Sequence, residues 1–200
     1  MCPSGFIGVH VSNHSLDIEK TRQALKSHIL QYVYRKLDKP VRLSSGALSA
    51  EYFDGKQVTL FPERVHLLAQ LILEAADLRN IDAVGGMSVG ADPIVTAVSL
   101  VAYLEKNLKI PAFFVRKEVK EHGLSKQIEG IELRKGMRVL IVEDVITQGT
   151  ATLKAIEAVE KAGARVAKVI CMIDREAGGS EIIASKYDFH AIFKKSELTE

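Results

Sequence analysis

Val139-Leu-Ile-Val-Glu-Asp-Val-Ile-Thr-Gln-Gly-Thr-Ala151 decides how the rest of the chain is read. Residues 139–142 are continuously apolar, as in a parallel strand buried on both faces. Glu143 and Asp144 follow at once, then Thr147-Gln148-Gly149-Thr150. From there Leu153, Ile156 and Val159 begin a helical period. The pattern places two acids and two hydroxyls between the end of a strand and the start of a helix. Unpaired backbone N–H groups and the helix dipole favour a phosphate at such a place. Gly149 lets the backbone turn sharply against a ligand, and the threonine hydroxyls can donate to phosphate oxygens. The acids cannot serve the phosphate, because like charges repel. They can accept from the hydroxyls of a sugar or hold Mg²⁺ through water. A phosphorylated sugar accounts for acids and anion loop together. An ordinary strand–turn–helix is the plain alternative, but this order of features is uncommon by chance.

Outward from this stretch, strands alternate with helices. Residues 81–84 read as a strand and Gly85-Gly-Met-Ser-Val-Gly90 as a glycine-rich loop. A helix over 91–107 follows, with Pro93 tolerated in its first turn. Residues 111–115 are a strand and 116–130 a charged loop. Ala162-Gly163 closes the helix that follows the central strand. Residues 166–173 and 189–193 are the remaining strands. The alternation predicts an α/β fold, a parallel twisted sheet flanked by helices. Ligands then sit outside the carboxyl ends of the strands. The loops at 85–90, 116–130, 143–150 and 174–179 all follow such strands. Upstream, residues 1–15 read as a loose leader. The spacing of Leu16, Ile18, Leu25, Ile29, Leu30, Val33 and Leu37 predicts one amphipathic helix, capped by Ser15 or Asp17. Residues 41–46 and 50–54 read as short extended pieces, and Phe61-Pro62 opens a helix through Ala76. Residues 1–60 are thus a leader, a helix and a small N-terminal hood, and 61–200 the core domain of a single compact unit.

The bulk composition narrows the classes. Two hundred residues with 47% hydrophobic content suit one domain with a sizeable core. A net charge of +2 offers no reason to expect nucleic acid or a membrane as partner. Cys2 and Cys171 form no metal pattern, and Cys171 lies in an apolar run as a core residue. With no disulfide framework, no signal-like N-terminus and no apolar run of the roughly 20 residues a membrane span needs, the expected compartment is the cytoplasm. The histidines, His10, His14, His28, His66 and His190 among them, are not spaced as metal ligands.

Further constellations carry chemistry. Arg116, Lys117, Lys120, His122 and Lys126 stand in one short run that starts at the end of a buried strand. A charged run is ordinarily a solvated loop; at this place it can neutralise a pyrophosphate. Tyr52-Phe53 can flank a flat base, although such a pair alone is more often core. The glycines of Gly85–Gly90 let a backbone approach pyrophosphate oxygens. Their spacing departs from the dinucleotide fingerprint. Arg175, in Asp174-Arg-Glu-Ala-Gly-Gly179, can take a carboxylate by bidentate hydrogen bonding. The plain alternative is a surface ion pair with Glu176 or Asp174.

Residues 139–151 resemble the signature of the phosphoribosyltransferases, in which two acids hold the ribose of 5-phosphoribosyl 1-diphosphate (PRPP) and the loop wraps its 5-phosphate. Arg116-Lys-Glu-Val-Lys-Glu-His-Gly123 resembles the Arg-Lys-x-x-Lys-x-His-Gly motif of the orotate phosphoribosyltransferases. There the loop closes over PRPP and reaches into the partner subunit's site. Ser45-Gly-Ala-Leu-Ser-Ala-Glu-Tyr52 is similar to that family's Ser-Gly-x-x-Ser-x-x-Tyr pattern. Ser44 stands where many members carry a lysine, so no PRPP-binding lysine is carried to it; Arg42 is a nearby substitute. Gly90-Ala-Asp-Pro-Ile94 and Asp174-Arg-x-x-Gly-Gly179 also resemble family loops.

The resemblance implies a type I phosphoribosyltransferase fold and the conversion of orotate and PRPP to orotidine 5′-monophosphate and diphosphate in pyrimidine (UMP) biosynthesis. Implied catalytic residues are Lys120, His122 and Asp144. Implied PRPP contacts are Arg116, Lys117, Lys120, His122, Glu143, Asp144, Val145, Ile146, Thr147, Gln148, Gly149, Thr150 and Ala151. Orotate falls to Thr147, Arg175, Tyr52 and Phe53. Mg²⁺ is the implied cofactor, held mainly through PRPP and water and not by a protein metal site. The implied assembly is a homodimer with a shared lid loop. Two rivals stand beside this reading. A transferase for another base would keep 139–151 but lack Arg175 and the Tyr52-Phe53 segment. A PRPP-sensing regulator would lose the lid, and the intact Lys120 and His122 argue against it.

Overall fold

In the computed structural model, the described residues are 17–42, 48–118 and 127–199. Asp17 opens helix α1 (Ile18–His28), its carboxylate accepting from the Lys20 N–H at 3.0 Å, as an N-cap does. The helix does not run to Leu37 as its period suggested. It passes through a π-helical turn, Ile29–Val33, into strand β1 (Tyr34–Arg42), which pairs antiparallel with β2 (Leu48–Phe53). Leu25, Ile29 and Val33 form the buried stripe, whereas Leu30 is exposed. Beyond Val33 the hairpin partner wins over helical propensity: Tyr34 pairs with Phe53, ring centroids 5.2 Å apart. Burying each of Leu25, Ile29 and Val33 contributes about 1.5–3 kcal/mol, which holds this segment on the core.

After the short helix α2 (Lys56–Thr59), Phe61 and Pro62 start α3 (Pro62–Ala75), with proline at a position whose N–H would be orphaned anyway. The main sheet has the order β5-β4-β3-β6-β7-β8. Strands β3 (Ala83–Met87), β4 (Ala112–Val115), β6 (Arg138–Ile146), β7 (Arg165–Asp174) and β8 (Phe189–Lys194) are parallel. The edge strand β5 (Ile128–Gly130) is antiparallel to β4. Residues 128–130 are therefore strand, which corrects the reading of 116–130 as loop throughout.

The boundary of β3 is a second correction. Gly85 and Gly86 lie inside the strand, not in a loop after it. A Cβ on Gly85 would stand 2.3 Å from the Phe113 ring, and one on Gly86 2.3 Å from the Val142 carbonyl oxygen. These glycines make room for neighbouring strands. The turn proper spans 88–91 and leads into α4 (Asp92–Lys106). Similarly, β6 does not stop at Val142. Its pairing with β7 continues through Glu143↔Cys171, Val145↔Ile173 and Ile146↔Asp174. The acids are thus in the strand's last residues, held by ladder hydrogen bonds on rigid backbone.

Two hydrophobic clusters cover the sheet. One joins α1, α3 and α4 to the residues of one sheet face, Val84, Leu140, Val142, Ile170 and Met172. The other joins α5 (Thr150–Lys161) and Ile183 of α6 (Gly179–Ala184) to the opposite face, Val139, Ile141, Val169 and Cys171. The last described helix is tied to the first. Arg22 of α1 donates to the Ile192 carbonyl at 3.2 Å and to Glu197 at 2.5 Å in α7 (Ser196–Thr199).

Candidate active site

The carboxyl end of β6 carries the acids. Glu143 is only 6% exposed, and its Oε2 accepts from the Thr152 hydroxyl at 3.2 Å. Burial, reinforced by the neighbouring Asp144 charge, pushes the Glu143 carboxyl up to about 8. One Asp144 oxygen accepts from the Val145 N–H at 2.7 Å. Two glycines from other elements give the acids space. A Cβ on Gly90 would stand 3.1 Å from an Asp144 oxygen and 3.2 Å from a Glu143 oxygen; one on Gly55 would stand 2.8 Å from Asp144 Oδ2. The acids therefore sit under the β3–α4 turn and beside the start of α2.

Immediately beyond, Gly149 is the N-cap of α5 with φ 71°, the left-handed conformation in which glycine costs least. The loop is clamped from β7. The Arg175 N–H donates to the Ile146 carbonyl at 2.9 Å and the Gly179 N–H to the Thr147 carbonyl at 3.1 Å. A Cβ on Gly179 would lie 2.5 Å from the Gly149 nitrogen, so Gly179 is glycine for closeness to this loop. A cleft of about 570 Å³ opens over it, lined by Thr147 through Thr152 with Met87, Lys117, Glu118 and Lys154. Helix N–H groups, threonine hydroxyls and two lysines suit it to an anion, with Glu118 as the one acid in its lining.

Arg175 faces the other way, to the hairpin. Its Nη2 donates to the Ser49 hydroxyl and the Glu51 carbonyl, each at 3.2 Å, and its guanidinium carbon lies 5.4 Å from the Phe53 ring centroid. Burial lowers its pKa, but an arginine keeps its charge. It forms no ion pair with its neighbours in sequence: Asp174 accepts from the Glu176 N–H, and Glu176 from Ser196. Glu51 is held by Lys195 and by the Tyr34 hydroxyl, and the Lys195 contact leads in lowering its pKa.

The structure thus brings Glu143, Asp144, the loop 145–151, Lys117, Arg175 and Phe53 to one end of the sheet. It separates two others from them. Arg116 pairs with Glu129 at 3.0 Å. Tyr52 is 39% exposed and, by strand alternation, on the face opposite Phe53. Lys120 and His122, like Ser44, lie outside the described residues. Ser49, Gly55, Thr152, Lys154 and Lys195 join the site without having been singled out in the sequence. Only Ser49 had a signal there, as a member of the Ser-Gly-x-x-Ser pattern.

A mostly parallel sheet with two acids ending a central strand and a threonine–glycine loop opening the next helix is the framework of a phosphoribosyl transferase domain, and the family model of that description matches residues 56–196. Orotate phosphoribosyltransferase of Leptospira biflexa is 43% identical over 181 residues, 88% of this chain and 97% of that one. The enzyme of that name from Aquifex aeolicus is 42% identical over 185 residues, covering 92% and 98%. The crystal structure of Mycobacterium tuberculosis orotate phosphoribosyltransferase in complex with PRPP superposes with a TM-score of 0.73 at 31% identity, over 90% of this chain and 99% of that one. The chain belongs to the orotate phosphoribosyltransferase family.

Proposed function

We propose that this chain transfers the 5-phosphoribosyl group of PRPP to orotate, forming orotidine 5′-monophosphate and diphosphate in UMP biosynthesis. One observation carries the choice of base. Arg175, oriented by Ser49 and the Glu51 carbonyl beside the Phe53 ring, offers a fixed cation at the edge of a flat, apolar surface. That arrangement suits an aromatic carboxylate. Thr147, at the head of the anion loop and next in the chain to the Ile146 carbonyl that accepts from the Arg175 N–H, serves both substrates.

The 5-phosphate sits on the 147–151 loop at the start of α5, and Glu143 and Asp144 hold the ribose hydroxyls. Displacing diphosphate from C1 needs positioning and charge stabilisation and no covalent nucleophile. Asp144, near the reacting carbon, stabilises the positive charge that develops there. Lys117, Lys120 and His122 attend the leaving group, and the closed lid excludes water. Among the described residues, no group of three or more His, Cys, Asp or Glu is placed to hold a metal ion. Two adjacent acids fit Mg²⁺ held mainly by substrate oxygens and water. When bound, it neutralises diphosphate charge.

The lid is completed across a homodimer, residues 1–60 act as leader, helix and hood to the 61–200 core, and the compartment is cytoplasmic. The free, buried Cys171 and the lack, among the described residues, of a helix able to cross a membrane are compatible with that compartment. The experiment is consumption of orotate with PRPP and Mg²⁺, against uracil, adenine and hypoxanthine. Turnover of orotate alone is expected; a preference for another base overturns the reading.

A further inference from the structure

Thr152 is 1% exposed in the first turn of α5, on the face it shares with Ala155, Ile156 and Val159. That face packs on an apolar sheet. A valine would have the right shape there, so packing alone does not call for a hydroxyl. A hydroxyl buried in apolar surroundings costs stability unless it is paired. The Thr152 hydroxyl has its partner in Glu143 Oε2, at 3.2 Å. We propose that Thr152 is a positioning residue for the reaction: it fixes the orientation of the Glu143 carboxyl and so shapes the acid pair that receives the ribose. This rests on the ribose-holding role given to the acids above.

The geometry adds a reason for the position. Gly90 of the β3–α4 turn leaves room beside Glu143 Oε1, where a Cβ would stand at 3.2 Å, and the Thr152 hydroxyl holds Oε2. A glutamate has one more rotatable bond than the aspartate beside it, and without Thr152 its terminal torsion has no hydroxyl to hold it. A hydroxyl both donates and accepts, so the contact persists whether Glu143 is protonated or ionised. The same helix turn presents the anion loop through Gly149 and Thr150. One rigid element therefore sets the distance between the phosphate seat and the ribose seat, a spacing that PRPP itself has fixed.

The test compares Thr152→Val, Thr152→Ser, Glu143→Ala and the Thr152→Val/Glu143→Ala pair by steady-state kinetics, with thermal unfolding alongside. Alanine is used because a glutamine amide would still pair with the Thr152 hydroxyl. Thr152→Val is expected to raise the KM for PRPP about tenfold, the loss of one hydrogen bond to an acid. It should leave the KM for orotate unchanged and lower the Tm by only a few degrees. Thr152→Ser should restore most of the PRPP affinity. In the Glu143→Ala background Thr152→Val should add little, because the two changes remove one interaction. An unchanged KM for PRPP in Thr152→Val, a serine variant as impaired as the valine one, or fully multiplicative losses in the double variant each overturn the proposal. If Glu143→Ala itself leaves the KM for PRPP unchanged, the ribose-holding role falls with it. If Glu143→Ala raises that KM and Thr152→Val does not, only the role of Thr152 falls.

Discussion

Gly55 lies directly against Asp144: a Cβ on Gly55 would stand 2.8 Å from Asp144 Oδ2 and 3.1 Å from its Cβ. The glycine belongs to the segment that joins the hairpin to α2, and the aspartate to the centre of the sheet. Gly55 has φ −55°, a conformation open to any residue, so the requirement is for space alone. Gly55→Ala should push the Asp144 carboxylate from its seat. A fall in kcat/KM for PRPP of about tenfold is expected, with a Tm change of only a few degrees, since overpacking a site costs about 1–3 kcal/mol. An alanine variant with native PRPP kinetics would show that the Asp144 side chain can move without consequence.

Arg175 is the second point of attack. Truncation to alanine removes a charge-assisted contact with the carboxylate of the base, about 2–4 kcal/mol. The KM for orotate should rise far more than that for PRPP. Because Arg175 also ties β7 to the hairpin through Ser49 and Glu51, Arg175→Lys is the needed control. It keeps charge but not the fork, and should recover little. Native orotate kinetics in the alanine variant would remove Arg175 from the base site, and native kinetics in the lysine variant alone would show that charge suffices without the fork.

Glu143 makes stability depend on pH in the free protein. Its carboxyl titrates at about 8 in the fold, against about 4.3 in an unfolded chain. Between these values the folded state holds a proton that the unfolded state has lost. Stability is therefore highest below the lower value and falls as pH rises through the window, by up to about 1.4 kcal/mol per pH unit. Urea unfolding from pH 5 to pH 8 should show the decline for this site, and Glu143→Gln should flatten it. An unchanged slope in the glutamine variant would mean that Glu143 is already ionised in the fold.

The parts of this site that local pattern encodes were legible. An apolar run, two acids and a Thr/Gly turn are contiguous, so the central strand, the anion loop and the start of α5 follow from residues 139–151 alone. What pattern could not supply was set by distant partners. The strand outlasts its apolar run because β7 pairs Glu143 with Cys171 and Ile146 with Asp174. Gly85 and Gly86 look like a phosphate loop, yet their neighbours are the Phe113 ring and the Val142 carbonyl. Leu37 fits a helical period but belongs to a hairpin fixed by Phe53. Thr152 looks like any helix residue until Glu143 is found beneath it, and the Ser49 contact of Arg175 spans 126 positions of chain.

A lid shared between two subunits can be tested by complementation. Arg116, Lys117, Lys120, His122 and Lys126 concentrate cationic groups in a stretch with few apolar anchors, a poor sequence for folding onto its own core and a good one for closing on a diphosphate. The family resemblance puts Lys120 in the neighbouring subunit's site, whereas Asp144 serves its own. Lys120→Ala and Asp144→Ala homodimers should each be nearly inactive. Co-expressed, they form mixed dimers in which one site has both native residues and the other neither. Random pairing makes about half of the dimers mixed, so about a quarter of native activity should return under two-fold symmetry. If each lid instead served its own subunit, every site in every dimer would carry one lesion. No activity would return, and the shared lid would be refuted even with the transferase reaction intact.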